Sequence, residues 1–441
     1  MFWGSHKLEE VTLPAQLKYI GINAFTDCPN LKSVYLRSVL PPELERYGTN
    51  VDNIFDDVGV LGNLKIYVPE SSVSLYRDTF PWSLYSDHIV GYQPDYDYYV
   101  SSDYSSDGKV ETLQTATEGN GIDIVLMGDG YSDRQIADGT YETDMKYMYD
   151  NLFTKEPFRT HKDLFNVYYV NVVSATEGYE HGNTAFSGYF GEGTLVGGND
   201  QAVFGYALNA VSEKEMDEVL LIVAMNSDAY AGTCYMYYPT SSFDTYAGDY
   251  GSGPSIAYFP KGGDKETFAQ LLHHEANGHG FAKLADEYAY ESMGTVPLEE
   301  VTMTRQNQDN WGWWKNVDFT SDLSAVRWAH FIEDDRYARE GLGAYQGGLT
   351  YWSGVWRPTY DSIMRYNVGD FNAPSREAIY YRIHKLAYGD SWEYDYEDFV
   401  EYDAVNRSTT ASRASRSNYV ERSLEPTSPP VVVGKSWRAA E

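Results

Sequence analysis

The stretch that decides the fold of this chain runs from Leu271 to Phe281 and is LLHHEANGHGF. It holds three of the nine histidines in 441 residues, and a second short motif, DEY at residues 286–288, follows it closely. A histidine–glutamate pair followed by another histidine supplies two neutral imidazole ligands for zinc and a carboxylate that can take a proton from water. This layout predicts the active site of a zinc hydrolase.

The two candidate ligands, His274 and His279, are five residues apart, whereas zinc-binding helices usually carry them four residues apart. At about 100° per residue, five steps leave the two rings roughly 140° apart around a regular helix, too far apart to share an ion. One extra residue accommodated as a π-bulge at Asn277-Gly278 would restore a shared face. The spacing therefore predicts a distorted helix, with Glu275 beside the metal as general base.

A catalytic zinc site needs a third protein ligand, and Asp286 is the first choice. A straight helix would carry this residue about 10 Å further along the axis, so the chain must turn back near Gly280. Glu287 is the alternative ligand, and either carboxylate could instead hold a ligand imidazole by a hydrogen bond. His273 lies on another helix face, and we interpret it as structural.

Two blocks of the sequence resemble one known family. HEANGHGFAKLADEY, residues 274–288, is similar to the zinc signature of the IgA peptidase family of metallopeptidases. SIMRY at residues 362–366 and FNAPSREAI at residues 371–379 resemble a downstream block of that family and the Met-turn of metzincins, where a methionine forms an apolar floor under the ligands. The resemblance implies Zn²⁺ as cofactor, with three ligands: His274, His279 and Asp286.

The same resemblance implies a role for Tyr366, which matches a tyrosine that in some metzincins reaches the zinc or the developing oxyanion. A phenol aimed at that oxygen stabilises charge in the transition state. The alternative is that Tyr366 is an ordinary aromatic residue of the core or surface. The chain departs from the metzincin pattern at two places: a glycine directly follows the second histidine, and Ala285 stands at the usual third ligand.

The expected reaction is hydrolysis of a peptide bond, with Glu275 as the base and without a covalent intermediate. Cys28 and Cys234 are poor candidate nucleophiles because nothing in the sequence pairs a histidine with them. The sequence has no glycine-rich phosphate-binding loop, which excludes common nucleotide chemistry. The family resemblance implies host or extracellular substrates such as immunoglobulin A, and an exopeptidase remains an open alternative.

The region from residue 118 to 400 alternates strands and helices, which predicts an α/β fold with a mostly parallel twisted sheet. Four apolar runs indicate buried strands: residues 122–128, 165–173, 219–225 and 255–259. Residues 142–152 indicate a helix, and Asp264 can cap the helix that carries the histidines. Metzincin-like peptidases place this helix beneath the sheet and bind substrate along an antiparallel edge strand. Residues 231–235 either border that edge or form a surface loop.

The N-terminal part contains a repeat, in which LEEVTLP at residues 8–14 returns as LKSVYL at residues 31–36 and as LKIYVP at residues 64–69. The first interval is typical of leucine-rich repeats. The pattern resembles the repeats of BspA-type bacterial surface proteins, which implies that Cys28 is a buried packing residue. We predict four regions: a leucine-rich repeat segment over 1–92, a linker and approach strand over 93–117, a zinc metallopeptidase domain over 118–400 and a polar, loosely packed tail over 401–441.

The net charge of -32 and the pI near 4.5 argue against nucleic acid or anionic membranes as partners, because phosphate binding needs a positive surface. No apolar run is long enough to span a bilayer, and the first residues do not form a signal peptide. Surface-type repeats and a tyrosine-rich, acidic composition nevertheless predict an exported protein, whether secreted, periplasmic or on the cell surface. Its export signal is not present in this chain.

The predicted partner is a protein or peptide substrate, with cell-surface or substrate contact through the leucine-rich repeat segment. The alternative is a surface adhesin or glycan-binding protein with a structural or degenerate zinc site. The tryptophan- and tyrosine-rich residues 309–358 would suit a sugar-binding platform as well as the wall of a cleft. Glu275 favours the enzyme, because a structural zinc site does not need a carboxylate next to a ligand.

Overall fold

The protein is described here by a computed structural model that covers residues 2–15, 17–45, 54–55, 63–94, 98–240, 248–410 and 426–440. The chain divides into two compact units. The N-terminal unit comprises Met1–Ser105, Gly130–Ala137 and Val173–Ser187. The large unit comprises Ser106–Asp129, Asp138–Val172 and Gly188–Glu441.

The N-terminal unit contains a four-stranded, wholly parallel sheet in the order β1-β3-β5-β6, with β1 at Glu10–Leu13, β3 at Ser33–Leu36, β5 at Lys65–Pro69 and β6 at Ile89–Tyr92. A second parallel pair joins β2 (Tyr19–Ile20) to β4 (Glu43–Leu44), and the helices are α1 (Val73–Asp78) and α2 (Asp133–Ala137).

The three repeated sequence runs each supply one strand of this parallel sheet. Val34 and Ile66 are Cα partners in neighbouring strands, and both are fully buried. Cys28 is buried in the same core, as the sequence predicted. Residues 46–53 and 56–62, which lie within the predicted repeat segment, are outside the described residues.

The large unit is built on a seven-stranded sheet of strands β7 (Val110–Gln114), β8 (Ile122–Asp129), β9 (Phe165–Val170), β12 (Leu220–Met225), β13 (Thr233–Tyr238), β14 (Ser255–Pro260) and β18 (Val431–Ser436). Their order is β18-β13-β14-β12-β8-β9-β7. The four inner strands β14, β12, β8 and β9 run parallel, while β13 and β7 are antiparallel to their inner neighbours. The prediction of an α/β fold with a mostly parallel sheet is therefore confirmed.

All four predicted strands lie in this sheet. β12 and β14 are buried along their whole length and β8 at all but one residue, as expected inside a parallel sheet, whereas β9 begins with alternating buried and half-buried residues. Smaller sheets pair β10 (Tyr189–Phe190) with β11 (Val196–Gly197), and β15 (Ala289–Thr295) and β16 (Tyr345–Gly348) with β17 (Thr350–Arg357). The α-helices of this unit are α3 (Thr140–Leu152), α4 (Asp200–Ala207), α5 (Lys265–Leu271), α6 (Leu298–Trp311), α7 (Ala329–Glu333), α8 (Ile363–Tyr366), α9 (Ala373–Tyr388), α10 (Tyr396–Tyr402) and α11 (Ala404–Thr410).

The C-terminal region differs from the loosely packed tail that its polar composition predicts. Asp403 is fully buried between two helices, and Val431–Ser436 forms β18 in the large sheet. The tail prediction overlooked these contacts because their partners lie far away in the sequence. Residues 411–425, which also belong to the predicted tail, are outside the described residues. Among the residues that the structure covers, no helix is long and apolar enough to cross a membrane.

Candidate active site

The helix that carries the histidine motif changes its winding where the motif begins. Asp264 caps α5 by accepting a hydrogen bond from the Thr267 backbone, as predicted, and a π-helix follows from Leu272 to Phe281. At its end, the Ala282 amide donates to the Asn277 carbonyl five residues back, at 3.1 Å. The expected distortion is therefore present, but it covers ten residues instead of one turn at Asn277-Gly278.

The wider winding brings residues five positions apart onto one face of the helix. The Nε2 atoms of His274 and His279 are consequently 3.0 Å apart. An oxygen of Asp286 lies 3.3 Å from the first of these nitrogens and 3.2 Å from the second. All three side chains are buried, and together they form a group that could hold a metal ion.

The size of this triangle fits a tetrahedral zinc ion. Four ligands at about 2.0–2.1 Å from zinc lie about 3.3–3.4 Å from one another, close to the three edges measured here. Both carboxylate oxygens of Asp286 are buried, and neither makes a well-formed hydrogen bond within the described part of the chain. A cation bound by these oxygens would remove the free-energy penalty of burying an unpaired carboxylate.

Backbone carbonyls hold both imidazoles in the orientation that a metal requires. His274 Nδ1 lies 3.0 Å from the Ile363 carbonyl, and His279 Nδ1 lies 2.7 Å from the Leu284 carbonyl. Because a carbonyl can only accept, the proton of each ring belongs on Nδ1. The lone pair on each Nε2 therefore faces the space beside Asp286.

The electrostatic field in this space favours a cation. Burial alone would lower the pKa of His279, but the Asp286 carboxylate outweighs burial and raises the pKa to about 9. Burial tends to raise the pKa of Asp286, yet the two imidazoles bring it below its usual value. The negative potential that favours a proton on His279 would equally favour a metal ion among the three groups.

Glu275 is next to the first histidine and is completely buried. Burial raises the pKa of its carboxyl group, and the neighbouring imidazoles oppose this shift. A Cβ atom on Gly232 would lie 2.5 Å from Glu275 Oε1, so only glycine lets the chain entering β13 come this close. The site combines three possible metal ligands with the Glu275 carboxylate, and a metal-assisted hydrolase requires this combination of groups.

The chain matches the protein family described as IgA Peptidase M64 over residues 110–338. It belongs to this family. Comparison with curated proteins yields no match. Family membership identifies the chain as a peptidase, a hydrolase that acts on protein substrates, and does not favour the adhesin alternative. Peptidases of this family are metallopeptidases, and the buried group of two histidines and an aspartate could bind the metal.

The second carboxylate of the peptidase's DEY motif has a different environment. Glu287 accepts hydrogen bonds from Ser362 at 2.6 Å, from Asn316 at 3.0 Å and from Asn372 at 2.8 and 3.1 Å. Its backbone amide donates to the Met364 carbonyl. Glu287 therefore holds the segment around α8 in place, and both of its carboxylate oxygens already accept hydrogen bonds. The oxygens of Asp286 instead face the imidazoles.

Met364 and His273 pack around the site without joining the group of three ligands. A Cβ on Gly278 would overlap the Met364 sulfur, so this methionine lies directly against the π-helix. His273 Nε2 is 3.0 Å from the Thr154 hydroxyl, and its Nδ1 is 3.3 Å from the Asn277 amide. These contacts agree with the structural role that we predicted for His273.

The two candidate tyrosines differ in their surroundings. The Arg365 guanidinium lies 4.5 Å from the Tyr366 ring. Burial raises the pKa of the Tyr366 phenol, and the charge of Arg365 opposes this shift. Tyr288, which the sequence analysis did not select, is buried near Asp286 and Glu275; burial and these carboxylates raise its pKa. Its position two residues after Asp286 was the available sequence signal.

Proposed function

We propose that this peptidase is a zinc-dependent endopeptidase in which His274, His279 and Asp286 hold the metal and Glu275 is the general base. The observation that carries the proposal is the buried triangle of ligand atoms, with edges of 3.0 to 3.3 Å, next to a carboxylate without a well-formed hydrogen bond in the described residues. When bound, zinc polarises the scissile carbonyl and lowers the pKa of water.

The side chains have separate tasks in the proposed reaction. Glu275 takes a proton from the attacking water onto a carboxylate oxygen and later delivers it to the nitrogen of the leaving amine. The carbonyls of Ile363 and Leu284 fix the tautomer and the orientation of both imidazoles, so that each Nε2 lone pair faces the metal position. Burial keeps bulk water away and so strengthens the electrostatic interactions inside the site.

A phenol that donates a hydrogen bond to the developing oxyanion completes the proposal. Tyr366 is the candidate from the family resemblance, and Tyr288 is the candidate from its position beside Asp286 and Glu275. Replacing each with phenylalanine separates them, since loss of an oxyanion donor lowers kcat by about 10²–10³. The variant that shows this loss while it keeps its zinc identifies the donor.

The test of the general base compares Glu275→Gln with wild-type protein. We expect the variant to keep its zinc, measured by elemental analysis, and to digest casein and immunoglobulin A with a kcat lower by about 10²–10⁴, the usual contribution of a general base. Glu291→Gln, at an exposed position on β15, is the matched control and retains full activity. Undiminished cleavage by zinc-loaded Glu275→Gln would refute the assigned base.

We propose further that the N-terminal unit is a leucine-rich repeat segment that contacts substrate or a cell surface, and that the protein is exported. The parallel stacking of β1, β3 and β5, one strand from each repeat run, supports the first point. The acidic, tyrosine-rich composition supports the second. Immunoglobulin A is the candidate substrate, because the family description names it.

A further inference from the structure

The segment of residues 426–436, which we call the C-terminal strap, covers one edge of the strand beside the proposed active site. Within the strap, β18 pairs in parallel with β13, so that Val431 lies opposite Tyr235 and Val432 opposite Met236. The other edge of β13 is occupied by the antiparallel β14. Without the strap, the outer edge of β13 would expose unpaired backbone groups to which an extended peptide can bind.

The strap also contacts Tyr288, a buried candidate for the oxyanion donor. The Tyr288 hydroxyl donates a 2.7 Å hydrogen bond to the Thr427 carbonyl. Thr427 is 1% exposed, so this contact is buried. The next residue, Ser428, places its hydroxyl 3.2 Å from that of Thr194.

The strap occupies hydrogen-bonding groups that a bound peptide would use. The strap pairs with β13, and Glu275, which lies against Gly232 directly before that strand, is 0% exposed. The Thr427 carbonyl takes the hydrogen bond that Tyr288 could offer to a carbonyl of a bound peptide. A peptide that pairs with the outer edge of β13 would have to displace the strap.

The strap's own pairing suits release. It runs parallel to β13, and parallel pairs are slightly less stable per residue than antiparallel pairs. The register shifts between Met236 and Tyr238, which interrupts the ladder, and Gly434 is exposed. A peptide that binds antiparallel to β13 would therefore compete with β18, whose pairing with β13 is short and irregular.

We propose that the outer edge of β13 is the peptide-binding groove of this enzyme, and that residues 426–436 occupy it as an internal ligand that substrate must displace. This inference rests on the proposed function, because it assigns the substrate groove of the same site. It predicts that the chain hydrolyses protein slowly while the strap is in place and faster when the strap is free to leave.

A reversible disulfide tests the proposal. In the variant Thr194→Cys/Ser428→Cys, sulfurs replace two hydroxyl oxygens that are 3.2 Å apart, so a small shift allows an S–S bond of about 2.0 Å. The native Cys28 and Cys234 are both buried. We expect the oxidised variant to cleave casein at least tenfold more slowly than the reduced form, and dithiothreitol to restore the rate. Thr194→Cys alone, treated with the same oxidant, is the matched control and keeps its rate.

A binding measurement separates this inference from the proposed function. In the Glu275→Gln background, fluorescein-labelled casein should bind at least tenfold more weakly to the oxidised double-cysteine variant than to its reduced form. Equal binding and equal cleavage by the two forms overturn the strap proposal. Weaker binding to the oxidised form, with no cleavage by the zinc-loaded reduced form, supports the groove and contradicts the peptidase mechanism instead.

Discussion

The two adjacent carboxylates of the DEY motif illustrate how residue-level chemistry separates neighbours of the same charge. Both are buried, but Asp286 faces two imidazole nitrogens and Glu287 faces three hydrogen-bond donors. The sequence could suggest that one of them completes the zinc site. It could not decide between them, because Ser362 and Asn372 come from a segment more than seventy residues away.

We predict that Asp286→Asn lowers the affinity for zinc by more than about 100-fold, since it removes a charged ligand and not merely an outer hydrogen-bond partner. Glu287→Gln should lose no more than about tenfold, because it keeps the size of the side chain and part of its hydrogen bonding. Competition with a chromophoric chelator measures both affinities. A larger loss of zinc affinity in Glu287→Gln than in Asp286→Asn would show that Glu287, and not Asp286, is the metal ligand.

Gly232 limits the position of Glu275, the proposed general base. An alanine Cβ there would lie 2.5 Å from Glu275 Oε1 and would push the carboxylate aside. We expect Gly232→Ala to lower kcat about 100-fold, the usual effect of a misplacement of about 1 Å, while zinc content stays unchanged. Gly205→Ala, where a Cβ meets nothing within 4 Å, is the control and keeps its activity. Full activity of Gly232→Ala would show that the base tolerates displacement.

Tyr288 is the residue that sequence reasoning missed at the site. Its hydrogen-bond partner, Thr427, is 139 positions away in a region that composition alone suggests is a loose tail. By contrast, Glu275 and the two histidines His274 and His279 lie within six residues, and this spacing already limits where their side chains can lie. Local spacing is therefore informative where the geometry of one helix determines it, and uninformative where a distant segment supplies the contact.

At the scale of secondary structure, the π-helix explains how a five-residue spacing can serve one metal ion. The interval between His274 and His279 predicted a distortion, but not its length of ten residues. Contacts outside the helix stabilise the wider winding: the Lys283 side chain donates to the Gly280 carbonyl at 2.8 Å, and the Ile363 carbonyl lies against His274. These partners depend on the tertiary fold, so the periodicity of the motif could not reveal them.

The contact between the π-helix and α8 gives a prediction whose sign is unusual. Alanine normally stabilises a helix relative to glycine by about 1 kcal/mol, but a Cβ on Gly278 would overlap the Met364 sulfur. Gly278→Ala should therefore destabilise the protein by about 1–3 kcal/mol, as overpacking does. In Gly278→Ala/Met364→Ala, the loss should be smaller than the sum of the single effects. Urea unfolding measures all four proteins, and strict additivity would exclude this contact.

At the scale of the whole molecule, the central sheet was predictable and its outer parts were not. Strands β8, β12 and β14 come from apolar runs that are almost completely buried, as in the middle of a parallel sheet, and β9 comes from a run that alternates buried and half-buried residues. The edge strand β18 has only three consecutive valines, which are partly exposed, and it pairs with a strand nearly two hundred residues earlier. Hydrophobic patterns predict what is buried on both faces, whereas edge pairing depends on which segments the finished fold brings together.

A buried ion pair joins α9 to the chain after α10, and it provides a test of how the C-terminal region contributes to stability. Arg376 donates to both oxygens of Asp403, at 2.7 and 2.8 Å, and to the Phe371 carbonyl, and both partners are almost fully buried. Arg376→Met should cost about 3–5 kcal/mol in the free energy of unfolding, because it leaves a buried carboxylate without its cation.

The double variant Arg376→Met/Asp403→Leu distinguishes the worth of the pair from the penalty of breaking it. Replacing both members with apolar side chains removes the uncompensated charge of Asp403 but not that of the Glu340 side chain, which is almost fully buried and lies 3.4 Å from Arg376, so only part of the stability should return. The midpoint of urea unfolding, followed by tryptophan fluorescence, measures each variant. If Arg376→Met alone lost less than about 1 kcal/mol, the carboxylate would have found water or another donor, and the region after α10 would be less firmly packed than its burial indicates.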